Sequence, residues 1–282
     1  MRKDLLTILK RFSTRKVLVV GDLIADEFLY GRISRVSREA PVLVLEYGDP
    51  VRLPGGAANA ANNLLDLGCS VAIAGAAGRD AAGDDLLKAL RGKGADVGGV
   101  RRVRSYTTPV KTRVLAGAQH SSSQQVVRLD RGHTAVAGIR VPWNRLAAAV
   151  RSADAVIVSD YGYGAVDPPL AARLAAAARE RGIPVIVDSR FRMAEFYDAT
   201  SITPNITELE AAAGVRIGND AALLEQVGRN VLHAQRLRSL LVTQGRFGMT
   251  LFESGRAGLH IPVYGTDEVA DVTGAGDTVI AV

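Results

Sequence analysis

The chain has 282 residues, of which 48% are hydrophobic and 23% charged, so it can bury a substantial core in one large domain or two small ones. A single cysteine, Cys69, excludes an internal disulfide and a cysteine-rich zinc site and fits a reducing cytoplasm, while the histidines show no metal-ligand spacing. The net charge is +6, but the aromatic content is 5%, no basic run is interleaved with stacking aromatics and no apolar run would cross a bilayer, so neither a nucleic acid nor a membrane is expected as partner.

Leu5, Leu6, Ile8 and Leu9 recur at helical spacing near the N-terminus. That segment lacks a continuous apolar stretch and a small-residue cleavage site, and does not read as a signal peptide. An apolar run over 16–20 predicts a buried strand. A helix is expected over 57–67, stopped by Gly68. A strand over 71–74 and a helix over 81–91 follow. Residues 155–158 and 184–187 read as strands with a helix over 169–181 between them, and 240–243 as one more strand. Another helix opens at Gly274. Strands that are apolar throughout, alternating with helices, predict a mostly parallel sheet covered on both faces. The segments 42–46, 110–115 and 125–130 break this rhythm, the last two as a polar-faced hairpin. They are expected to form a small separate sheet on one α/β domain.

Several loops carry residues suited to chemistry. Gly21-Asp-Leu-Ile-Ala-Asp26 ends the first predicted strand, where ligands of open α/β sheets bind. Asp22 and Asp26 could grip vicinal hydroxyls there, or cap a turn. In Pro54-Gly-Gly-Ala-Ala-Asn59, the pair Gly55 and Gly56 permits close approach of a ligand to the backbone, and Asn59 offers both donor and acceptor to sugar hydroxyls. An ordinary loop-to-helix turn would look the same. Asn205 and Glu208, three apart, could position a hydrated Mg²⁺, form a plain capping box, or do both. Thr243, Gly245 and Gly248 follow a strand as Thr-x-Gly-x-x-Gly, a weak phosphate-loop pattern.

The sharpest motif is Asp271-Val-Thr-Gly-Ala-Gly-Asp277, running into an apolar stretch. Glycines before a helix let backbone N–H groups face an anion, and the helix dipole adds positive potential. A carboxylate on that turn would repel phosphate as a ligand. As a base beside a transferring phosphoryl group it can take the proton of the attacking hydroxyl. The bland reading is a glycine turn with a capping aspartate.

Taken together and in this order, these residues resemble the ribokinase/PfkB carbohydrate kinases over essentially the whole chain. The resemblance implies a three-layer α/β sandwich with a mostly parallel central sheet and a small β-sheet lid, its strands within about 32–48 and 105–130. It implies ATP with Mg²⁺ and transfer of the γ-phosphoryl group to a sugar hydroxyl. Asp277 would be the catalytic base, with the N–H groups of Gly274, Ala275 and Gly276 as anion hole. Asn205, Thr243, Gly245, Gly248 and Thr273 would hold ATP, and Glu208, with Asn205, the metal through water. Asp22, Asp26, Gly55, Gly56, Asn59, Arg113 and Arg128 would bind the acceptor.

A narrower similarity is to the heptose-7-phosphate kinases of lipopolysaccharide synthesis. It rests on Ser34-Arg-Val-Ser-Arg-Glu-Ala-Pro41, Ser159-Asp-Tyr161 and the segments already quoted. Two departures stand out: Tyr163 and Asp188-Ser-Arg190 replace the subgroup's Lys and Asp-Pro-Lys. The expected reaction is phosphorylation of a heptose 7-phosphate. Alternatives are a kinase for another sugar or a nucleoside, and a silent sugar- or nucleotide-binding relative. Lys111, Arg113 and Arg128, with Arg190 after a strand end, suggest that the acceptor carries a phosphate. A cytoplasmic homodimer joined through the lid is expected. Because the apolar residues Val279–Val282 follow so closely on the motif, the chain is also read as a truncated piece of a longer polypeptide, with an adenylyltransferase domain after it.

Overall fold

Along the first strand Val17 and Val19 point to one face and Leu18 and Val20 to the other, and all four are buried. A strand apolar on both sides must lie inside a sheet with cover above and below, which is its position in the computed structural model. The structure describes residues 2–117, 124–132, 139, 141–265 and 273–282. Asp271 and Val272 of the glycine motif, together with His120 and His133, lie outside the described residues.

The strands are β1 (Lys16–Val36), β2 (Leu43–Tyr47), β3 (Val51–Gly56), β4 (Ser70–Gly78), β5 (Asp96–Val103), β6 (Val110–Gly117), β7 (Gln124–Arg131), β8 (Ala155–Asp160), β9 (Val185–Ser189), β10 (Ser201–Ile202), β11 (Ser239–Thr243), β12 (Met249–Glu253) and β13 (Leu259–Ile261). The helices are α1 (Arg2–Lys10), α2 (Ala57–Asp66), α3 (Ala81–Gly92), α4 (Trp143–Ser152), α5 (Pro168–Glu180), α6 (Ile206–Ala213), α7 (Ala221–Ala234) and α8 (Ala275–Ala281). The central sheet has the order β13-β12-β11-β10-β9-β8-β1-β4-β5. It is parallel from β5 to β11 and turns antiparallel at β12 and β13. On one face α4, α5, α6 and α7 bury Leu146, Leu174, Leu209 and Val227; on the other α2, α3 and α8 bury Ala61, Leu87 and Ile280. The result is the expected three-layer α/β sandwich with a mostly parallel sheet.

The first strand does not stop near Val20. It continues to Val36, leaving the central sheet and becoming the spine of the small one. There it pairs antiparallel with β2 and β3 and parallel with β6, which forms the expected hairpin with β7. Asp22 and Asp26 therefore lie within a strand, not at its end. The lid also takes in β3 and residues 23–31 of β1, beyond the ranges expected. Gly21 is required at the branch: a Cβ there would sit 2.2 Å from the Ser159 carbonyl oxygen of β8. At the other end, Ile280 and Ala281 of α8 are buried in the cluster that α2 lines, so part of that apolar stretch has its cover. Among the described residues, no helix is long and apolar enough to cross a membrane.

Candidate active site

The carboxyl ends of β8, β9 and β11 open toward one cleft of about 760 Å³, which Gly274, Ala275, Gly276 and Asp277 line together with Tyr161 and residues of β9, α6 and β11. Asp277 sits in the first turn of α8 and is 4% exposed. Its carboxylate accepts hydrogen bonds from Asn59 Nδ2 of α2 at 2.8 Å and from the Tyr161 hydroxyl after β8 at 3.0 Å. Burial pushes the Asp277 carboxyl above the ordinary aspartate range, against the pull of the Asn59 and Tyr161 hydrogen bonds. Gly274 has φ 75° and its missing Cβ leaves room for Asn59 Nδ2, 2.5 Å from where a Cβ would stand. The N–H groups of a helix's first turn have no intrahelical acceptor, so Gly274, Ala275 and Gly276 begin α8 with donors available to an anion.

Across the cleft, Asn205 and Glu208 form a complete capping box at the start of α6: Asn205 Oδ1 accepts the Glu208 N–H, and Glu208 Oε2 accepts the Asn205 N–H, both at 2.9 Å. Glu208 Oε1 takes Arg190 at 3.0 Å. The capping reading is the one this geometry fills. Asp188, at the end of β9, lines the same cleft. Burial, then the Glu208 and Asp277 charges, pushes its carboxyl up to about 7, with Arg190 opposing. Sequence reasoning passed over this residue as part of a departure from a family pattern. Its place directly after an apolar strand was the available signal. Beyond β11, Gly245 and Gly248 have φ 57° and 87°, and a Cβ on Gly248 would meet the Ile261 carbonyl oxygen at 2.2 Å. Thr243 lines this wall, and Thr273 precedes Gly274 in the turn before α8.

On the lid side, Asp22 departs from the role expected of it. It is fully buried, with Oδ2 accepting the N–H groups of Tyr161 and Tyr163 and Oδ1 that of Ala165. Its oxygens pin the 161–165 loop instead of facing a sugar. Asp26 packs against Gly55, where a Cβ would stand 2.5 Å from Asp26 Oδ2. Gly56, at φ 57°, caps α2. The arginines expected to hold a phosphate are all engaged by carboxylates: Arg113 by Asp26 at 2.6 Å, Arg128 by Asp130 at 2.9 Å, and Arg190 by Glu208. Tyr161, which the sequence reading used only as part of a similarity, is the link between this loop and Asp277.

Residues 14–282 match the model of the family described as pfkB family carbohydrate kinase. The bifunctional protein HldE of Geobacter sulfurreducens is 42% identical over 289 residues, covering all of this chain and 57% of the relative. HldE of Pseudomonas aeruginosa is 40% identical over 275 residues, covering 96% of this chain and 55% of the relative. The chain thus spans a little over half the length of these relatives. Among solved structures, Arabidopsis thaliana ribokinase complexed with ribose and ATP superposes with a TM-score of 0.73 at 23% identity, over 95% of this chain and 84% of that one. Escherichia coli phosphofructokinase-2 in its tetrameric inhibited form gives 0.73 at 19% identity, over 95% and 85%. At these identities the two structures speak to the fold alone.

Proposed function

The chain belongs to the pfkB family of carbohydrate kinases, and from that membership we propose that it transfers the γ-phosphoryl group of ATP to a sugar phosphate, D-glycero-β-D-manno-heptose 7-phosphate, giving the 1,7-bisphosphate. The observation that carries this reading is Asp277: a buried carboxylate, oriented from two sides, on the glycine turn that lines the cleft. The acceptor hydroxyl gives its proton to Asp277 as its oxygen bonds to the γ-phosphorus, while the bridging oxygen leaves with ADP. A pKa raised by burial suits a base that must accept this proton, and the donors of Gly274, Ala275 and Gly276 stabilise the charge that spreads over the phosphoryl oxygens. Asn59 and Tyr161 orient the carboxylate.

We also propose that a hydrated divalent cation arrives in this cleft with the nucleotide, held by few protein ligands. Asp188, Glu208 and Asp277 line the cleft, and burial first, then the Glu208 and Asp277 charges, holds the Asp188 carboxyl above the ordinary aspartate range. Mg²⁺ arriving with ATP would be held by Glu208 and Asp188, with Asn205 through water, and would neutralise phosphate charge. We place the reaction in the cytoplasm and read the lid as the face through which two copies join. In a longer bifunctional protein, an adenylyltransferase would consume the phosphorylated sugar. The test is a panel of sugars and sugar phosphates assayed for ADP release. Turnover confined to heptose 7-phosphate is expected; turnover of a different sugar or a nucleoside in its place would refute the assignment, and no turnover with any acceptor would leave a silent binder.

A further inference from the structure

Three lid strands stand in register beside the base. Asp26, Lys111 and Asp130 form one row across β1, β6 and β7, and Phe28, Arg113 and Arg128 form the next. The rows are two residues apart, so these side chains share one face of the lid. Simple neutralisation would pair Lys111 with a flanking aspartate. Instead Asp26 takes Arg113 at 2.6 Å, and Asp130 takes Nε and Nη2 of Arg128, each at 2.9 Å. Lys111 is left over: among the described residues it has no ion pair, and its ammonium lies 4.5 Å over the Tyr161 ring. The hydroxyl of that same ring donates to Asp277. The ammonium therefore stands one aromatic ring away from Asp277, on the lid's side of it. Burial pushes its pKa down, opposed by Asp26 and Asp130 and reinforced by Arg128 and Arg190.

An ammonium taken partly out of water without a counter-ion gains most from a ligand that brings its own negative charge. A neutral hydroxyl offers it less. The arginines around it have their carboxylates already and would have to be released first.

We propose that Lys111 is the specificity-determining residue that grips the phosphate monoester of the acceptor. The inference rests on reading the chain as a sugar-phosphate kinase. Its test compares heptose 7-phosphate with unphosphorylated heptose in the wild type, K111M and K111R. In K111M the KM for heptose 7-phosphate should rise about 10- to 100-fold, the size of one lost charge-assisted hydrogen bond. The KM for ATP should hold, and the preference for the phosphorylated sugar should collapse. K111R, which keeps the charge with a different shape, should fall between. K111Q carries the same expectation as K111M should the latter not fold. An unchanged acceptor KM with a fall in kcat alone would overturn the inference, since Lys111 would then act on the transferring group or the base. Equal use of heptose and heptose 7-phosphate by the wild type would sink the sugar-phosphate reading itself. Discrimination kept in wild type and K111M alike would sink the role of Lys111 alone.

Discussion

As the proposed base, Asp277 would meet two opposing demands: to carry charge so as to accept a proton, and to be buried beside the phosphoryl group. Asn59 and Tyr161 reconcile them by donating to its two oxygens. Asp277→Asn keeps the shape and removes the acceptor of the proton, so kcat should fall by about 10²-fold or more while calorimetric ATP affinity is nearly unchanged. Tyr161→Phe removes a hydrogen bond that favours the charged carboxylate. The Asp277 pKa should then climb further, and the acid limb of the kcat/KM profile should move to higher pH. A profile that coincides with wild type would show that Tyr161 does not tune the base. Asp188 makes a different prediction. Burial, with the Glu208 and Asp277 charges, holds its folded pKa at about 7, above the ordinary aspartate range, so between the two the folded protein binds more protons than the unfolded one. Its contribution to stability is present at the acid end and is lost as pH rises toward 7. Melting temperatures of the nucleotide-free protein should show this slope, and Asp188→Asn should flatten it.

At the scale of elements, the cleft wall beyond β11, where the proposed reading puts the nucleotide, depends on turns that suit glycine. Gly248 combines φ 87° and ψ −135° with a Cβ position 2.2 Å from the Ile261 carbonyl oxygen. Gly248→Ala should cost about 1–3 kcal/mol in strain, or else displace β13 from β12. Either result should appear as a lower melting temperature together with a raised KM for ATP, whereas the acceptor KM should be spared. The glycine pair at the lid side has another purpose. Gly55 leaves space for the Asp26 carboxylate, and Gly56 turns β3 into α2 so that Asn59 arrives at Asp277.

The whole molecule couples a rigid sandwich to a lid that shares its first strand. Arg52 of β3 ties the root of the lid to the body, donating at 2.7 Å both to Glu27 of β1 and to Asp85 of α3. Farther out the lid leaves Tyr30, Ile33, Tyr47 and Leu129 exposed. Apolar side chains on a small sheet with free edges favour pairing with a second copy. Sedimentation velocity at micromolar concentration should therefore show a dimer, and the pair Tyr47→Asp and Leu129→Asp should shift it to monomer without altering the melting transition. A wild-type monomer under those conditions would count against the lid as an interface.

Local chemistry along the chain accounts for a good part of this protein. Apolar runs such as Val17–Val20 announce a doubly covered parallel sheet because a strand's two faces are written in alternate residues, and Gly274 before an apolar stretch announces a helix start. The polar hairpin of β6 and β7 is legible because its faces differ. Asn205 and Glu208 are legible as a pair because three residues is the span of a capping box. Partnerships across the fold were not legible. That Asp22 spends its carboxylate on the 161–165 loop, that β1 runs unbroken into the lid, and that Tyr161 reaches Asp277 follow from contacts between residues more than 100 positions apart in the case of Asp22 and Tyr161. The same holds for charge. Composition counts arginines and aspartates, but which arginine meets which aspartate is set by strand register. Register gave Arg113 and Arg128 their carboxylates and left the ammonium of Lys111 beside the base.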